Sequence, residues 1–294
     1  MKTLEELLEE TKQLQTMAGN LSGEISEMIH AKEEQGKDVD FASILRTAER
    51  HPITPHPLGE KDAHTVEAYL TLMLSVAARG TSPDAQDNPI VYPCRIAAAL
   101  RPAPDMELLF KRSLILDEKA VNEAITAVER EQLIDFFVLD ALRLIELYDR
   151  GNLQKLEYVS DLAVLLNVSK ERMNDLLEIL KVSMEEKVTF KARFQSIEFS
   201  TFLPYLPSIK TYAIETPTEL LLNGVQEQDT LEFFPVSNKK RVYLRNVHFD
   251  GKLSPMSFSG VGTIEIIGCR FEHFFKGVFD VKKCQLLNIQ TPVC

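Results

Sequence analysis

One boundary constrains this 294-residue chain more than any motif in it. Up to Lys187 the sequence is rich in Leu, Ala, Glu and Lys and repeats its apolar positions every three or four residues. Past Lys187 phenylalanine becomes frequent, prolines return in "FLPYLPS", and β-formers replace Leu and Glu. A period near 3.6 buries one stripe of a helix, whereas alternation buries one face of a strand. The two patterns demand separate cores, so the fold class is α+β and multidomain, helical first and β-rich second. The organisation reads as amphipathic helices over 1–50, a Pro/His-rich linker over 51–64, a helical bundle over 65–187 and a β-rich domain over 188–294.

The helical half opens on a regular stripe: Leu4, Leu7, Thr11, Leu14, Ala18, Leu21, Ile25 and Met28. Alternating steps of three and four make a bundle or coiled-coil seam, which either packs on its own domain or pairs with another chain. "HPITPHPLGEKDAH" (51–64) then stops the helices with three prolines. Its histidines, His51, His56 and His64, share no regular face, so a solvated connecting loop is expected there. From Val66 the chain repeats itself. "LTLMLSVAARG" (70–80) and "LDALRLIELYDRG" (139–151) both end a helix at an Arg-Gly pair, and helices opening at Tyr92 and Tyr158 come next. Glycine just past a helix supplies the left-handed cap, and the polar spacer turns the chain back. In "NVSKERMNDLLEILKVSMEEK" (167–187), Ser169 or Asn167 caps a last helix whose buried stripe is Met173, Leu176, Leu177 and Leu180.

The stretch "LIELYDRGNLQKLEYVSDLAVLLNVSKERMNDLLEIL" resembles the second half of a TerB-like domain, the helical module named for tellurite-resistance operons. The resemblance covers about 50 residues and extends more weakly over 66–187. It implies an α-helical bundle of bacterial stress-response and conflict systems, with an acidic metal site. Carried over by motif, Asp149 stands at the family's turn aspartate and Glu157 at the glutamate opening the next helix. Arg150 intrudes before Gly151, and Ala78 replaces the aspartate in the first half. The residues alone offer Asp140, Glu146, Asp149, Glu157 and Asp161 as oxygen ligands for a hard divalent ion, or as a solvated acidic face balancing a helix dipole.

The β-rich half holds three similar pieces: "LRNVHF" (244–249), "IIGCRF" (266–271) and "KKCQLL" (282–287). Val247, Cys269 and Cys284 align, each followed two positions later by Phe249, Phe271 or Leu286, so each piece aims two apolar side chains at one interior. The offsets are unequal, a longer one from 247 to 269 and a shorter one from 269 to 284. About 20 residues suits one coil of a stacked ladder, and "TELLLNG" with "DTLEFFP" supply an earlier rung. The pieces resemble rungs of a right-handed parallel β-helix, a β-solenoid. A small antiparallel sheet is the alternative. "VTFKARFQSIEFSTF" (188–202) reads as one or two strands capping the rungs. The end, "TPVC", leaves an open last rung that either continues or meets a partner.

Charge and motifs narrow the function. Residues 1–190 carry 21 Lys/Arg and 34 Asp/Glu, a balance of −13, and residues 191–294 carry +2. An acidic helical half repels phosphates, so nucleic acid is disfavoured as a partner, and "NKKRVYLR" (238–245) reads as a turn entering a strand. Four cysteines without zinc spacing, no signal-peptide core and no membrane-length apolar run suit the cytoplasm. Phosphate-loop, zinc-protease and serine-elbow motifs are missing. Cys269 with His248 or His273 makes a poor dyad because Cys269 points inward. Asp250, Glu265, Glu272 and Asp280 are the carboxylates a carbohydrate-active solenoid would use. The expectation is a non-enzymatic sensor or scaffold in bacterial stress response or phage defence. It would bind a protein partner or itself through the N-terminal heptads and the open solenoid end. No catalytic residue or cofactor is assigned. A divalent-metal regulator through Asp149 and Glu157 is one alternative, and a β-helix carbohydrate enzyme the other.

Overall fold

The computed structural model describes residues 39–80, 88–206, 210–249, 256–271, 279–282 and 285–290. The heptad stripe of residues 1–29 and the end "TPVC" lie outside them. Contacts divide the chain into two compact units, residues 1–162 and 163–294. The first is helical and the second carries the β-sheets, so the architecture is α+β and multidomain. No described helix is long and apolar enough to cross a membrane.

Described helices of the first unit are α1 (Phe41–Arg50), α2 (Ala63–Ala78), α3 (Val91–Ala98), α4 (Met106–Leu114), α5 (Glu118–Arg130), α6 (Ile134–Tyr148) and most of α7 (Leu153–Leu165). An apolar run with no polar face makes α2 the centre: Val66 to Ala77 are buried except Glu67, and α3, α4, α5 and α6 all pack on it. Aspartates start four of these helices. Asp40, Asp62, Asp105 and Asp117 accept from the amides of Ser43, Thr65, Leu108 and Ala120 at 2.7–3.0 Å. Each such cap contributes about 1 kcal/mol. Gly80 and Gly151 both take positive φ, the helix stops expected of them. Tyr158, by contrast, falls in the middle of α7, which already begins at Leu153. The Pro/His-rich stretch is exposed over most of its length, His51 and His64 included, but Ile53, Pro57 and Leu58 are buried and Pro57–Glu60 forms a 3-10 turn.

In the second unit Ser169 caps α8 (Lys170–Met184) by accepting from the Arg172 amide. Its buried face is Asp175, Leu176, Ile179, Val182 and Ser183. The expected stripe is thus rotated: Leu177 is 38 % exposed, because the helix turns its aspartate inward and that residue fixes the facing. The strands are β1 (Lys187–Lys191), β2 (Thr211–Glu215), β3 (Glu219–Asn223), β4 (Val236–Ser237), β5 (Arg241–Arg245), β6 (His248–Phe249), β7 (Met256–Ser259), β8 (Thr263–Ile267), β9 (Arg270–Phe271), β10 (Phe279–Lys282) and β11 (Gln285–Gln290). They form sheets in the orders β1-β2-β3-β5-β8-β11, β10-β7-β4 and β6-β9. Every pairing is parallel except β2 with β3.

Register gives most of this unit one period, with a step of one more residue between β7 and β10, where Met256 lies opposite Phe279. Glu219 lies opposite Arg241, Arg241 opposite Thr263 and Thr263 opposite Gln285, so the position number rises by twenty-two at every step. Val236↔Phe258 and His248↔Arg270 repeat the step on the other two sheets. The expected alignment of Val247 with Cys269 therefore holds, while the shorter offset of the last piece does not: Leu286 lies opposite Ile264, not Phe271. Leu220, Val242 and Ile264 stack in one buried column, and Leu222, Leu244 and Ile266 in a second. Burying such a side chain contributes roughly 1.5–3 kcal/mol, so each strand of the ladder adds to the core. The corners obey the same period. Gly224, Asn246 and Gly268 take φ of +64°, +53° and +64°, and Asn238 and Gly260 take +55° and +65°. Glycine and asparagine tolerate this left-handed conformation best, which explains their recurrence at these turns.

Candidate functional site

Four carboxylates are buried among the described residues: Asp140, Asp149, Asp175 and Glu219, the last accepting from the Ser200 amide at 3.1 Å. Asp140, on the otherwise apolar α6, accepts from the hydroxyls of Tyr69 at 2.6 Å and Tyr92 at 2.8 Å, and from His56 Nε2 at 2.8 Å. His56 Nδ1 accepts from the Leu58 amide at 3.2 Å, which leaves Nε2 as the nitrogen that donates to Asp140. Burial raises the Asp140 pKa, but His56, Tyr69 and Arg143 outweigh it and hold the carboxyl below its ordinary value. Burial, then the Asp140 charge, pushes both tyrosines well above theirs, so they remain donors. Arg143 lies one turn along α6. Its Nε is buried without a hydrogen-bond partner among the described residues.

Asp149 and Lys155 form the second node. Lys155 Nζ donates to Asp149 Oδ2 at 2.7 Å, and both side chains are sealed from solvent. Asn152 donates to the same oxygen at 2.8 Å and to the Gly80 carbonyl, and its own oxygen caps the Lys155 amide. The two Arg-Gly turns read from the sequence are thus tied to each other. Arg79 stacks over the Tyr158 ring at 4.1 Å, and Ser75 bonds that tyrosine's hydroxyl at 3.0 Å. In the second unit Asp175 accepts from the amides of Gln195, Ser196 and Ile197, clamping the loop that follows β1.

The residues expected to hold a metal are not gathered. Asp149 is bonded to Lys155 and Asn152, Glu157 is exposed on α7, Glu146 pairs with Arg150, and Asp140 belongs to its own node. Among the described residues no group of three or more His, Cys, Asp or Glu converges on a point where an ion would sit. Cys269 is buried, donates to the Leu244 carbonyl at 3.3 Å and is raised in pKa by burial, while His248 is exposed. Burial pushes the Cys94 thiol up to about 12. A thiol held protonated makes a poor nucleophile. Glu265 pairs with Arg245 at 2.5 Å, and Asp280 stands opposite Ser257 in the β10–β7 ladder; Asp250 and Glu272 lie outside the described residues. Lys239, Lys240 and Arg241 pair with Glu215 or Glu198, so the basic cluster is already neutralised.

Among the described residues of the helical unit an open groove of about 780 Å³ lies beside α5, lined by His64, Asp117, Lys119, Asn122, Glu123 and Arg130. An adjoining hollow of about 380 Å³ shares His64, Asp117 and Glu123 and reaches Arg112 and Ile115. Its charges alternate in sign: Lys119 faces Glu123 at 3.8 Å, Arg130 faces Asp62 at 3.3 Å, and Arg112 faces Glu67 at 3.2 Å. A small-molecule site is normally enclosed and largely apolar; an open charged trough suits a polypeptide surface better. Family models, curated proteins and solved structures yield no match to this chain. Sequence reasoning picks out Tyr92 and Asp140 singly but misses their junction with His56 and Tyr69. The available signal is the aspartate in "FFVLDALRL", since a carboxylate in an apolar helix requires donors.

Proposed function

We propose that this chain is a non-enzymatic interaction protein, a sensor or scaffold that binds a protein partner. The observation that carries this reading is where the reactive groups are spent. The buried carboxylates, the His56–Asp140 pair and the thiols of Cys94 and Cys269 all serve internal bonds or the core, whereas the open groove presents paired charges of both signs. The finer architecture belongs to the same proposal: a TerB-like bundle in the helical unit and a parallel β-helix of near-equal coils in the other. For the β-helix, the parallel ladders and periodic corners are the support. A bacterial stress-response or phage-defence setting rests on the TerB-like resemblance alone.

The test is a comparison of the wild-type chain with the charge swap Lys119→Glu/Glu123→Lys. A partner captured by the wild type and identified by mass spectrometry should cross-link to the groove and lose at least tenfold in affinity for the swapped chain, whose melting temperature stays unchanged. Hydrolysis of a nucleotide, ester or glycoside by the pure chain, abolished by a single substitution, would replace this reading with an enzymatic one.

A further inference from the structure

Arg143 is the one buried polar side chain that neither the groove nor the internal bonds employ. It lies on α6 with only 9 % of its surface exposed. Its Nε is sealed from solvent without a hydrogen-bond partner, and its Nη groups form no hydrogen bond or ion pair among the described residues. A guanidinium is always charged and carries five N–H donors. Taking that charge out of water is costly unless an opposite charge with matching acceptors meets it.

The nearest carboxylates are already engaged. Asp140, one turn away on the same helix, receives Tyr69 and His56 on Oδ2 and Tyr92 on Oδ1. It attracts Arg143 through space without bonding it. Glu146, one turn the other way, pairs with Arg150 at 3.1 Å. A second cation belongs to the same neighbourhood. Arg95, half-buried on α3, donates from Nε to the His51 carbonyl at 2.6 Å and from Nη1 to the Tyr148 hydroxyl at 3.2 Å. Its Nη2 has no partner among the described residues. The Tyr148 ring meets the Tyr92 ring edge to face at 6.1 Å. Burial and Asp140 raise the Tyr92 hydroxyl, and the charges of both Arg143 and Arg95 oppose that rise. Two arginines against one aspartate leave a single positive charge in excess.

We propose that Arg143, with Arg95 as the second cation, binds one carboxylate group. A guanidinium edge presents two parallel N–H groups that match the two oxygens of a carboxylate. A phosphate dianion fits less well. It would bring a second negative charge toward Asp140, and the tyrosine hydroxyls that could serve its further oxygens are spent on Asp140. One singly charged carboxylate cancels the excess. A free small acid and an acidic side chain of a protein partner offer the same group.

Nuclear magnetic resonance of the whole chain reads the Arg143 Nε–H directly, assigned through the α6 backbone and checked by its loss in Arg143→Lys. Acetate should move this signal saturably, one acetate per chain, whereas chloride at equal ionic strength and neutral acetamide should leave it in place. Arg95→Gln should weaken acetate binding at least threefold with its circular dichroism unchanged. Arg150→Gln, on the same helix but paired with Glu146, should bind acetate as the wild type does. An unmoved Arg143 signal, a shift that chloride reproduces, or equal acetate affinity in Arg95→Gln overturns the inference. Once acetate binds, a captured partner that loses at least tenfold in affinity for Arg143→Lys is the source of the carboxylate, and undiminished capture assigns it to a free acid. The groove shares no residue with this site, so acetate binding and the Lys119/Glu123 charge swap succeed or fail separately.

Discussion

Asp140 divides two oxygens among three donors, and removing it strands all of them. The Tyr69 and Tyr92 hydroxyls and His56 Nε2 are buried and would each lose this acceptor. Asp140→Ala should therefore cost about 3–5 kcal/mol, read as a shift in the urea midpoint of the helical unit. Its carboxyl is held below its ordinary value, so the stability it contributes is fully present above the unfolded carboxyl pKa of about 3.9. That contribution is lost as pH falls through the lower folded value. Wild type should thus weaken below about pH 4 more steeply than Asp140→Asn, which has no such proton to take up. At the thiols the expectation is silence: with Cys94 raised to about 12, iodoacetamide at neutral pH should leave Cys94 and Cys269 unlabelled until denaturant is added, as peptide masses would show. This scale is the least legible in the sequence. Asp149 stands out there for its charge, but that Lys155 reaches back to it inside the protein depends on how α7 faces, which no spacing rule reports.

Helices and corners are easier to read than facings and registers. The Gly80 and Gly151 stops and the Ser169 cap follow from backbone conformations that few residues supply. The α8 stripe read from sequence is off by a fraction of a turn because leucine occurs on both sides of it, and only the inward Asp175 decides between them. The third rung is misaligned because Cys284 looks like Cys269, whereas hydrogen-bonded register follows the corners, which recur with the period of the ladders. Those corners carry a prediction of their own. A Cβ added at Gly268 would lie 2.5 Å from Asn246 Oδ1, on a residue already at φ +64°. Gly268→Ala should destabilise the β-rich unit by about 1–3 kcal/mol. Asn246→Gly keeps the left-handed corner and gives up the 3.0 Å bond to Asn223, so it should cost less than half as much in the same melt.

At the scale of the whole molecule the sequence separates helix from sheet correctly, yet contacts divide the chain at 162/163 whereas composition changes at Lys187. Composition records secondary structure; contacts record which core an element joins, and α8 joins its core with the β-rich unit. The same distinction yields a prediction about length. If the β-rich unit grows by stacking near-equal coils, an added coil of the correct length should be accommodated, because each rung touches only its neighbours. Duplicating the segment 238–259 after Ser259 repeats Asn238 at one corner and Asn246 at another, and sets Val242 and Leu244 again into their columns. The lengthened chain should remain soluble, unfold in a cooperative transition and gain parallel-sheet signal by infrared absorption. A duplicate cut short to 238–252 would bring the next corner too early and turn core positions toward solvent. That chain should aggregate or lose its transition. Equal tolerance of both insertions would mean that the segment 238–259 forms a pliable loop region rather than one coil of a stack.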